Sequence, residues 1–181
     1  MGKKFDQDNE KFPLVMEMGK NIQVKMISCG LHHTAMVDYE GAMFTWGSSD
    51  KGKLGHPNKV GNFRNNDLES YPRQVISFSS LKVVMACAGS TFTLVLTTNG
   101  DMYFIGQFGD RMYKENEMDY IKPCRCYAFL KNIQGEPFYI KIVCGLKHAG
   151  AIDNAGRVYF WGQNYESALS CFDGKDKPGP T

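Results

Sequence analysis

Three glycines recur at constant spacing three times along the chain, and this repetition constrains the fold more than any other feature. In each copy a turn glycine lies 11 residues after the first glycine, and a third glycine lies 6 residues after that. The copies are offset by 59 and then 56 residues, a period typical of stacked repeat units. In chain order the glycines are Gly30, Gly41 and Gly47, then Gly89, Gly100 and Gly106, then Gly145, Gly156 and Gly162.

The residues around each turn glycine predict a β-hairpin. HTAMV at 33–37 and AMFTW at 42–46 are short β-prone runs on either side of Gly41. Asn99-Gly100 favours a type I′ turn in the second copy, and 153–156 offers a slightly longer turn in the third. Glycine and proline recur every few residues, which leaves no room for helices of normal length.

Two further segments in each copy predict two further strands. One precedes the first glycine and reads VKMISC, LKVVMAC or YIKIVC. The other follows Pro13, Pro72 or Pro123, because proline is tolerated at the first residue of a strand, and it reads VMEM, VISF or CYAFL. Each unit is expected to hold four strands in the order proline, cysteine, histidine and tryptophan strand. The expected divisions are a tail at 1–12, units at 13–71, 72–122 and 123–169, and a flexible tail at 170–181.

The composition fits one folded domain and argues against two classes of partner. With 181 residues and 43% hydrophobic content, the chain is long and apolar enough to bury a core. Its 21 basic and 19 acidic residues give a net charge of +2, which offers no electrostatic argument for nucleic acid. No apolar run approaches the roughly 18 residues of a membrane span, so no membrane association is expected.

The six cysteines are predicted to be structural thiols. Cys29, Cys87 and Cys144 recur just before the first glycine of each copy, a position that suits a small buried hydrophobe. Cys124 and Cys126 are spaced for one face of a strand, and no cysteine or histidine pair has zinc spacing. We therefore expect no metal, no cofactor and a reducing, cytoplasmic location, with the nucleus, the cytoskeleton or a cilium as alternatives.

The recurring histidines and tryptophans also fit structural roles. His33 and His148 share one repeat position, which favours hydrogen-bonded core histidines that hold their hairpins. Trp46 and Trp161 share another position and are expected in the core between units. The sequence holds no nucleophile motif, zinc-protease motif or phosphate-binding glycine loop. No catalytic residue is assigned, and no enzyme is expected.

The combined pattern of CG-x-x-H-T, the turn glycine, WG and G-K-L-G resembles the repeat of the regulator of chromosome condensation 1 (RCC1) family. The first copy carries the pattern through Gly55, whereas the second has Ile105 in place of the tryptophan and the third lacks the last glycines. Members of that family form seven-bladed β-propellers of four-stranded blades. The resemblance implies an all-β fold, a partial, three-blade RCC1-like β-propeller of four-stranded antiparallel blades.

Three blades leave two open ends, and covering them is expected to require a partner. The sequence leaves three explanations open. The arc is completed by another polypeptide or by copies of this chain, the chain is part of a longer protein, or the open faces dock on a large assembly. We expect a non-enzymatic protein-binding or scaffold module. The alternative that the resemblance implies is guanine-nucleotide exchange on a small Ran-like GTPase. The loop after Trp46 supplies the candidate partner contacts, which are Lys51, Lys53, His56, Lys59 and Arg64.

Overall fold

The computed structural model describes residues 15–16, 18, 22–56, 68–107, 124–125, 137–164 and 168. This part of the chain forms eleven β-strands and two short 3-10 helices. The strands are β1 (Val24–Cys29), β2 (His33–Asp38), β3 (Met43–Ser48), β4 (Leu68–Gln74), β5 (Val83–Ala88), β6 (Phe92–Thr97), β7 (Met102–Gly106), β8 (Cys124–Arg125), β9 (Tyr139–Cys144), β10 (His148–Asp153) and β11 (Val158–Gly162). The 3-10 helices span Asp50–Gly52 and Ile76–Phe78.

The strands form three antiparallel sheets, each built from neighbours in the chain. The first sheet has the order β1-β2-β3-β4 and the second β5-β6-β7-β8. The third has the order β9-β10-β11 within the described residues. The second sheet packs on the first through one face and on the third through the other, so the three sheets form an arc. The predicted all-β, propeller-like architecture of antiparallel blades is confirmed.

The proline strands belong to different sheets from those that the sequence suggested. Strand β4 contains Pro72 and pairs with β3, so it is the last strand of the first sheet. Strand β8 follows Pro123 and pairs with β7 of the second sheet in the same way. The predicted order is therefore wrong, because the strands at Pro72 and after Pro123 each complete the preceding sheet. Pro72, which lacks an N–H, lies on an outer strand beside a register irregularity, where no ladder hydrogen bond is lost.

The segments after the prolines also differ from the prediction. Residues 76–78, expected as a strand, form a 3-10 helix instead. Val15, Met16 and Met18, from the first proline segment, lie in no strand, and Pro13 and the segment 126–130 lie outside the described residues. The division into units 13–71, 72–122 and 123–169 stays a division of the sequence, whereas the sheets group the strands of 24–74, 83–125 and 139–162.

All three predicted turns are present, and they share one geometry. In the first, the Gly41 N–H donates to the Asp38 carbonyl at 3.2 Å, and the Asp38 N–H donates to the Ala42 carbonyl at 3.0 Å. The turn glycines have φ values of +84°, +75° and +77°, which disfavour any residue with a Cβ. Within the described residues only Lys51 is a non-glycine with positive φ, so Asn99 does not form the expected type I′ turn. The glycine alone takes the left-handed position.

The third glycine of each copy is required by close backbone contact. Gly47 has φ +104°, and a Cβ built there would lie 2.6 Å from the His32 carbonyl oxygen. The next N–H, that of Ser48, donates to the same oxygen at 2.8 Å. Gly106 repeats this arrangement against the Thr91 carbonyl. A side chain would therefore separate β3 or β7 from the loop that precedes its partner strand.

Each sheet uses its two faces for different neighbours, because strand side chains alternate. We name the face toward the next sheet along the chain the outgoing face and the face toward the preceding sheet the incoming face. The junction of the first and second sheets, the first junction, buries Ala35, Val37 and Met43 with Val83, Ala86, Val95 and Ile105. The second junction, between the second and third sheets, buries Phe92, Leu94, Leu96 and Phe104 with Ile142, Ala149, Ala151 and Trp161.

Candidate functional site

A buried hydrogen-bond chain crosses the first junction. His33, only 3% exposed, places Nε2 2.9 Å from the Thr93 hydroxyl, which in turn donates to the Lys53 carbonyl at 2.8 Å. Because the hydroxyl proton is directed to Lys53, the His33 Nε2 carries a proton and is the donor. His33 therefore joins two sheets, whereas the sequence suggested that it holds its own hairpin.

The His33 side chain is held neutral at physiological pH. Burial lowers its pKa to about 4, and the positive charge of Lys53 acts in the same direction. A backbone hydrogen bond with Phe92 opposes the shift. A neutral imidazole that donates from one fixed nitrogen is suited to structural bonding and not to proton transfer near neutral pH.

The first glycine of each copy is required by the ring that lies over it. A Cβ at Gly30 would collide with the Gly89 carbonyl oxygen of the second sheet and would also fall 2.8 Å from the His33 ring. Gly145 meets the ring of His148, and Gly89 meets the ring of Phe92 in the same manner. The recurring glycine and the aromatic or imidazole ring three residues later therefore form one packing unit.

The G-K-L-G loop of the first sheet is fixed against the second sheet. Lys53 is 2% exposed, and its ammonium donates to the Ser48 hydroxyl at 3.2 Å. Burial lowers the Lys53 pKa, and the charge of Asp50 opposes that shift. Gly55 lies where a Cβ would be 3.1–3.3 Å from side-chain atoms of Val75 and Ile105. The loop is therefore part of the junction.

The expected partner contacts have different environments. Lys53 is buried, so its side chain is not available to a partner, which corrects that expectation. His56 is half-buried, and its Nε2 lies 2.9 Å from the Thr45 hydroxyl. Lys51 is exposed and has φ +62°. Lys59 and Arg64 lie outside the described residues. Of the described members, only Lys51 presents an exposed side chain.

The two repeat tryptophans show how an adjacent sheet changes the exposure of a sheet face. Trp161, on the incoming face of the third sheet, is buried in the second junction. Trp46 holds the same position on the incoming face of the first sheet, and it is only half-buried. The predicted core role thus describes Trp161, whereas Trp46 lies on a face that no other described sheet covers.

The two outer faces of the arc expose positions that are buried at both junctions. On the outgoing face, Val158 is 52% exposed, whereas the matching Met43 and Met102 are 0% and 3% exposed. On the incoming face, Ile27 is 56% exposed, whereas the matching Ala86 is 1% exposed. These outer faces are the candidate functional surfaces of the chain.

The outer faces also carry the polar positions of the first junction. His148 matches His33 in register and is half-buried, and its side chain has no hydrogen-bond partner among the described residues. Thr34 matches Thr93 and is also half-buried. Sequence reasoning missed the role of Thr93. The usable signal was that Thr34 and Thr93 share one repeat position, directly after the histidine position.

The described part of the chain has neither a metal-binding cluster nor a membrane-spanning helix. No group of three or more histidine, cysteine, aspartate or glutamate side chains is arranged there to hold a metal ion. None of its helices has the length and apolar character needed to cross a membrane.

Similar proteins agree with this geometry. A family model described as the Regulator of chromosome condensation (RCC1) repeat matches residues 40–96. E3 ubiquitin-protein ligase HERC2 of Mus musculus is 30% identical over 145 residues, which are 79% of this chain and 3% of HERC2. The chain therefore spans only a small part of this relative.

Solved structures show the same fold. The crystal structure of human WBSCR16 matches with a TM-score of 0.74 and 23% identity, covering 90% of this chain and 40% of that one. The crystal structure of Prp20p from Saccharomyces cerevisiae, described with its binding to Gsp1p and histones, matches with a TM-score of 0.67 and 23% identity. It covers 88% of this chain and 38% of Prp20p. By its repeat sequence and its blade architecture, the chain belongs to the RCC1-repeat family.

Proposed function

We propose that the chain is a non-enzymatic protein-binding module whose outer faces receive further sheets of the same repeat type within a larger assembly. The observation that carries the proposal is the exposure of Val158 and Ile27 at positions that both junctions bury. Exposed apolar surface of this kind is costly in water and is usually covered by a binding partner. We also propose a reducing intracellular location, which fits the free thiols of Cys29, Cys87 and Cys144.

The side chains at the junctions indicate which sheets fit the outer faces. At the first junction a polar pair meets, His33 with Thr93. At the second junction the same two positions hold Phe92 and Ala149, which belong to one apolar cluster. In each junction a polar residue meets a polar residue or an apolar residue meets an apolar one. A buried polar group without a partner would lower the stability by about 1–3 kcal/mol.

The same matching rule predicts the chemistry of the partner sheets. His148 needs a sheet with a hydroxyl or carbonyl acceptor on its incoming face, and Thr34 suits a sheet with a histidine on its outgoing face. A second copy of this chain offers both groups, so head-to-tail self-association satisfies the rule. Another RCC1-type sheet with the same residues satisfies it equally.

The proposal is tested by the mass and surface properties of the purified chain. We expect assemblies above the 20.4 kDa monomer mass in light scattering, or a monomer that binds a hydrophobic dye. Val158→Lys should shift the mass toward the monomer or change the dye signal, because it places a charge on the outgoing face. Tyr39→Lys is the matched control, since Tyr39 is exposed in a turn outside both faces. A monodisperse monomer with a cooperative melt and no dye binding would overturn the proposal.

Guanine-nucleotide exchange on a Ran-like GTPase is the second candidate function. Its support is the shared fold with Prp20p, whose structure was described with its binding to Gsp1p. The segment 48–71, which contains the exposed Lys51, is the segment to test. Faster nucleotide release from the GTPase, lost when this segment is substituted, would favour this candidate over the binding module. Unchanged release with the intact chain would eliminate it.

A further inference from the structure

Strand register places two cysteines opposite each other at the second junction. Cys29 and Cys144 occupy equivalent positions in their sheets. Each pairs with the residue directly after the repeat histidine, Thr34 for Cys29 and Ala149 for Cys144. In the second sheet that position is Ala88, and Cys87 lies one residue earlier. A shift of one residue turns a strand side chain to the opposite face. The expectation that the three cysteines share one environment is therefore wrong, because Cys87 faces the third sheet.

The two cysteines are in contact across the junction. The Cys144 thiol donates to the Cys87 carbonyl at 3.3 Å. Both side chains pack against the buried cluster of the second junction. At the first junction the corresponding positions are Ser28 and Ala88, where the Ser28 hydroxyl accepts from the Ala88 N–H at 3.0 Å. Among the two junctions, therefore, only the second has thiols on both sides.

We propose that Cys87 and Cys144 are an oxidative modification site, at which a hydroperoxide converts the two thiols into a disulfide that links the second and third sheets. In the first step the Cys87 thiolate attacks one peroxide oxygen, the O–O bond breaks, and the released hydroxide takes up a proton to form water. Cys87 is then a sulfenic acid. In the second step the Cys144 sulfur attacks the Cys87 sulfur, the S–O bond breaks, and a second water leaves with the Cys144 proton. Two thiols are oxidised, and one hydrogen peroxide is reduced to two waters.

The environment assigns different roles to the two sulfurs. The hydrogen bond from Cys144 lowers the pKa of Cys87, burial opposes this, and a hydrogen bond with Ser28 supports it. Burial raises the pKa of Cys144, and the neighbouring Cys87 adds to the effect. The thiolate is the reactive form, so Cys87 is the attacking sulfur and Cys144 is the resolving one. Cys87 is only partly buried, which leaves it accessible to a molecule as small as hydrogen peroxide.

The test maps disulfides in the whole chain after limited oxidation. The reduced protein is treated with hydrogen peroxide, blocked with an alkylating reagent and digested, and linked peptides are identified by mass spectrometry. We expect the peptides of Cys87 and Cys144 to be linked in most molecules, while the exposed Cys29 remains alkylated. Dithiothreitol should release the link. Cys29→Ala is the matched control and should leave the link unchanged, because Cys29 lies on an outer face.

A second variant separates the two chemical steps. In Cys144→Ala the Cys87 sulfenic acid has no resolving thiol, so dimedone should label Cys87 at least about five times more than in the parent chain. The proposal is overturned if the parent chain shows no link between these peptides while it remains folded. It is also overturned if Cys87 pairs equally with several cysteines, or if Cys144→Ala leaves dimedone labelling of Cys87 unchanged.

Discussion

Acid should weaken the fold through His33 in a way that one substitution removes. Folding keeps this imidazole neutral, with its pKa lowered from 6.5 to about 4. Between these values the unfolded chain binds a proton at His33 that the folded chain excludes. The free energy of unfolding therefore falls as the pH is lowered through this window. The stability that depends on a neutral His33 is fully present above pH 6.5.

The size of the effect follows from the difference in pKa. A gap from 6.5 to about 4 is worth roughly 3.4 kcal/mol in total, at 1.36 kcal/mol for each pH unit. At pH 4.5 about 2.5 kcal/mol of this is already lost. That loss is a substantial part of the roughly 5–15 kcal/mol by which domains are stable. His56 adds a change in the same direction, because burial also lowers its pKa.

His33→Phe isolates the contribution of this histidine. Phenylalanine holds the same position in the second sheet, where Phe92 packs over Gly89, so the substitution suits the local geometry. Urea unfolding at pH 7.5 and pH 4.5 gives the loss of stability for each protein. We expect the parent chain to lose about 2.5 kcal/mol more than His33→Phe over this interval. His148→Phe is the matched control and should keep the parent's pH dependence.

The comparison has a clear refuting result. If the parent chain and His33→Phe lose the same stability between pH 7.5 and pH 4.5, the histidine is not held neutral by the first junction. A larger loss in His33→Phe would have the same meaning. If His33→Phe is less stable than the parent chain by an equal amount at both pH values, that loss reflects only the missing hydrogen bond to Thr93. The pH dependence of the two proteins is compared separately from such a loss.

Three further substitutions test the packing described above. Thr93→Val should destabilise the chain by about 2–4 kcal/mol in urea unfolding, because the Lys53 carbonyl and the His33 N–H both lose their partner. A loss below about 1 kcal/mol would contradict the buried chain. Gly156→Ala should cost about 1 kcal/mol from positive φ alone, since nothing lies near the added Cβ, and Gly47→Ala should cost at least twice as much. Equal losses in thermal unfolding would contradict the contact argument.

The glycine spacing was sufficient to predict the hairpins because it reports strictly local geometry. Gly41 is needed for a backbone conformation with φ +84°, and Gly47 for close approach to a neighbouring carbonyl. Both requirements act within one hairpin, so they leave the same mark in every copy. The type of turn was less accessible, since Asn-Gly is compatible with more than one turn and only the backbone distinguishes them.

The strand order was not accessible in the same way, because it depends on which sheet a distant segment joins. The strand at Leu68–Gln74 is separated from β3 by many residues in the sequence, and nothing local shows that it pairs with the first sheet. Burial of Lys53 has a similar origin. A lysine between two glycines resembles an exposed loop residue, and only the second sheet, packed against that loop, removes it from water.

The irregular second copy is explained by its place in the arc. Its histidine and tryptophan positions hold Phe92 and Ile105, and both side chains are buried, one in each junction. Phe92 packs in a hydrophobic cluster in which the matching position holds Ala149, so a histidine there would bury a polar ring opposite a residue that offers no side-chain acceptor. Departure from the repeat pattern is therefore tolerated where both adjoining faces are supplied by the same chain and can change together. The first and third sheets keep Trp46 and His148 on their outer faces, where in the proposed assembly the matching residues come from the partner.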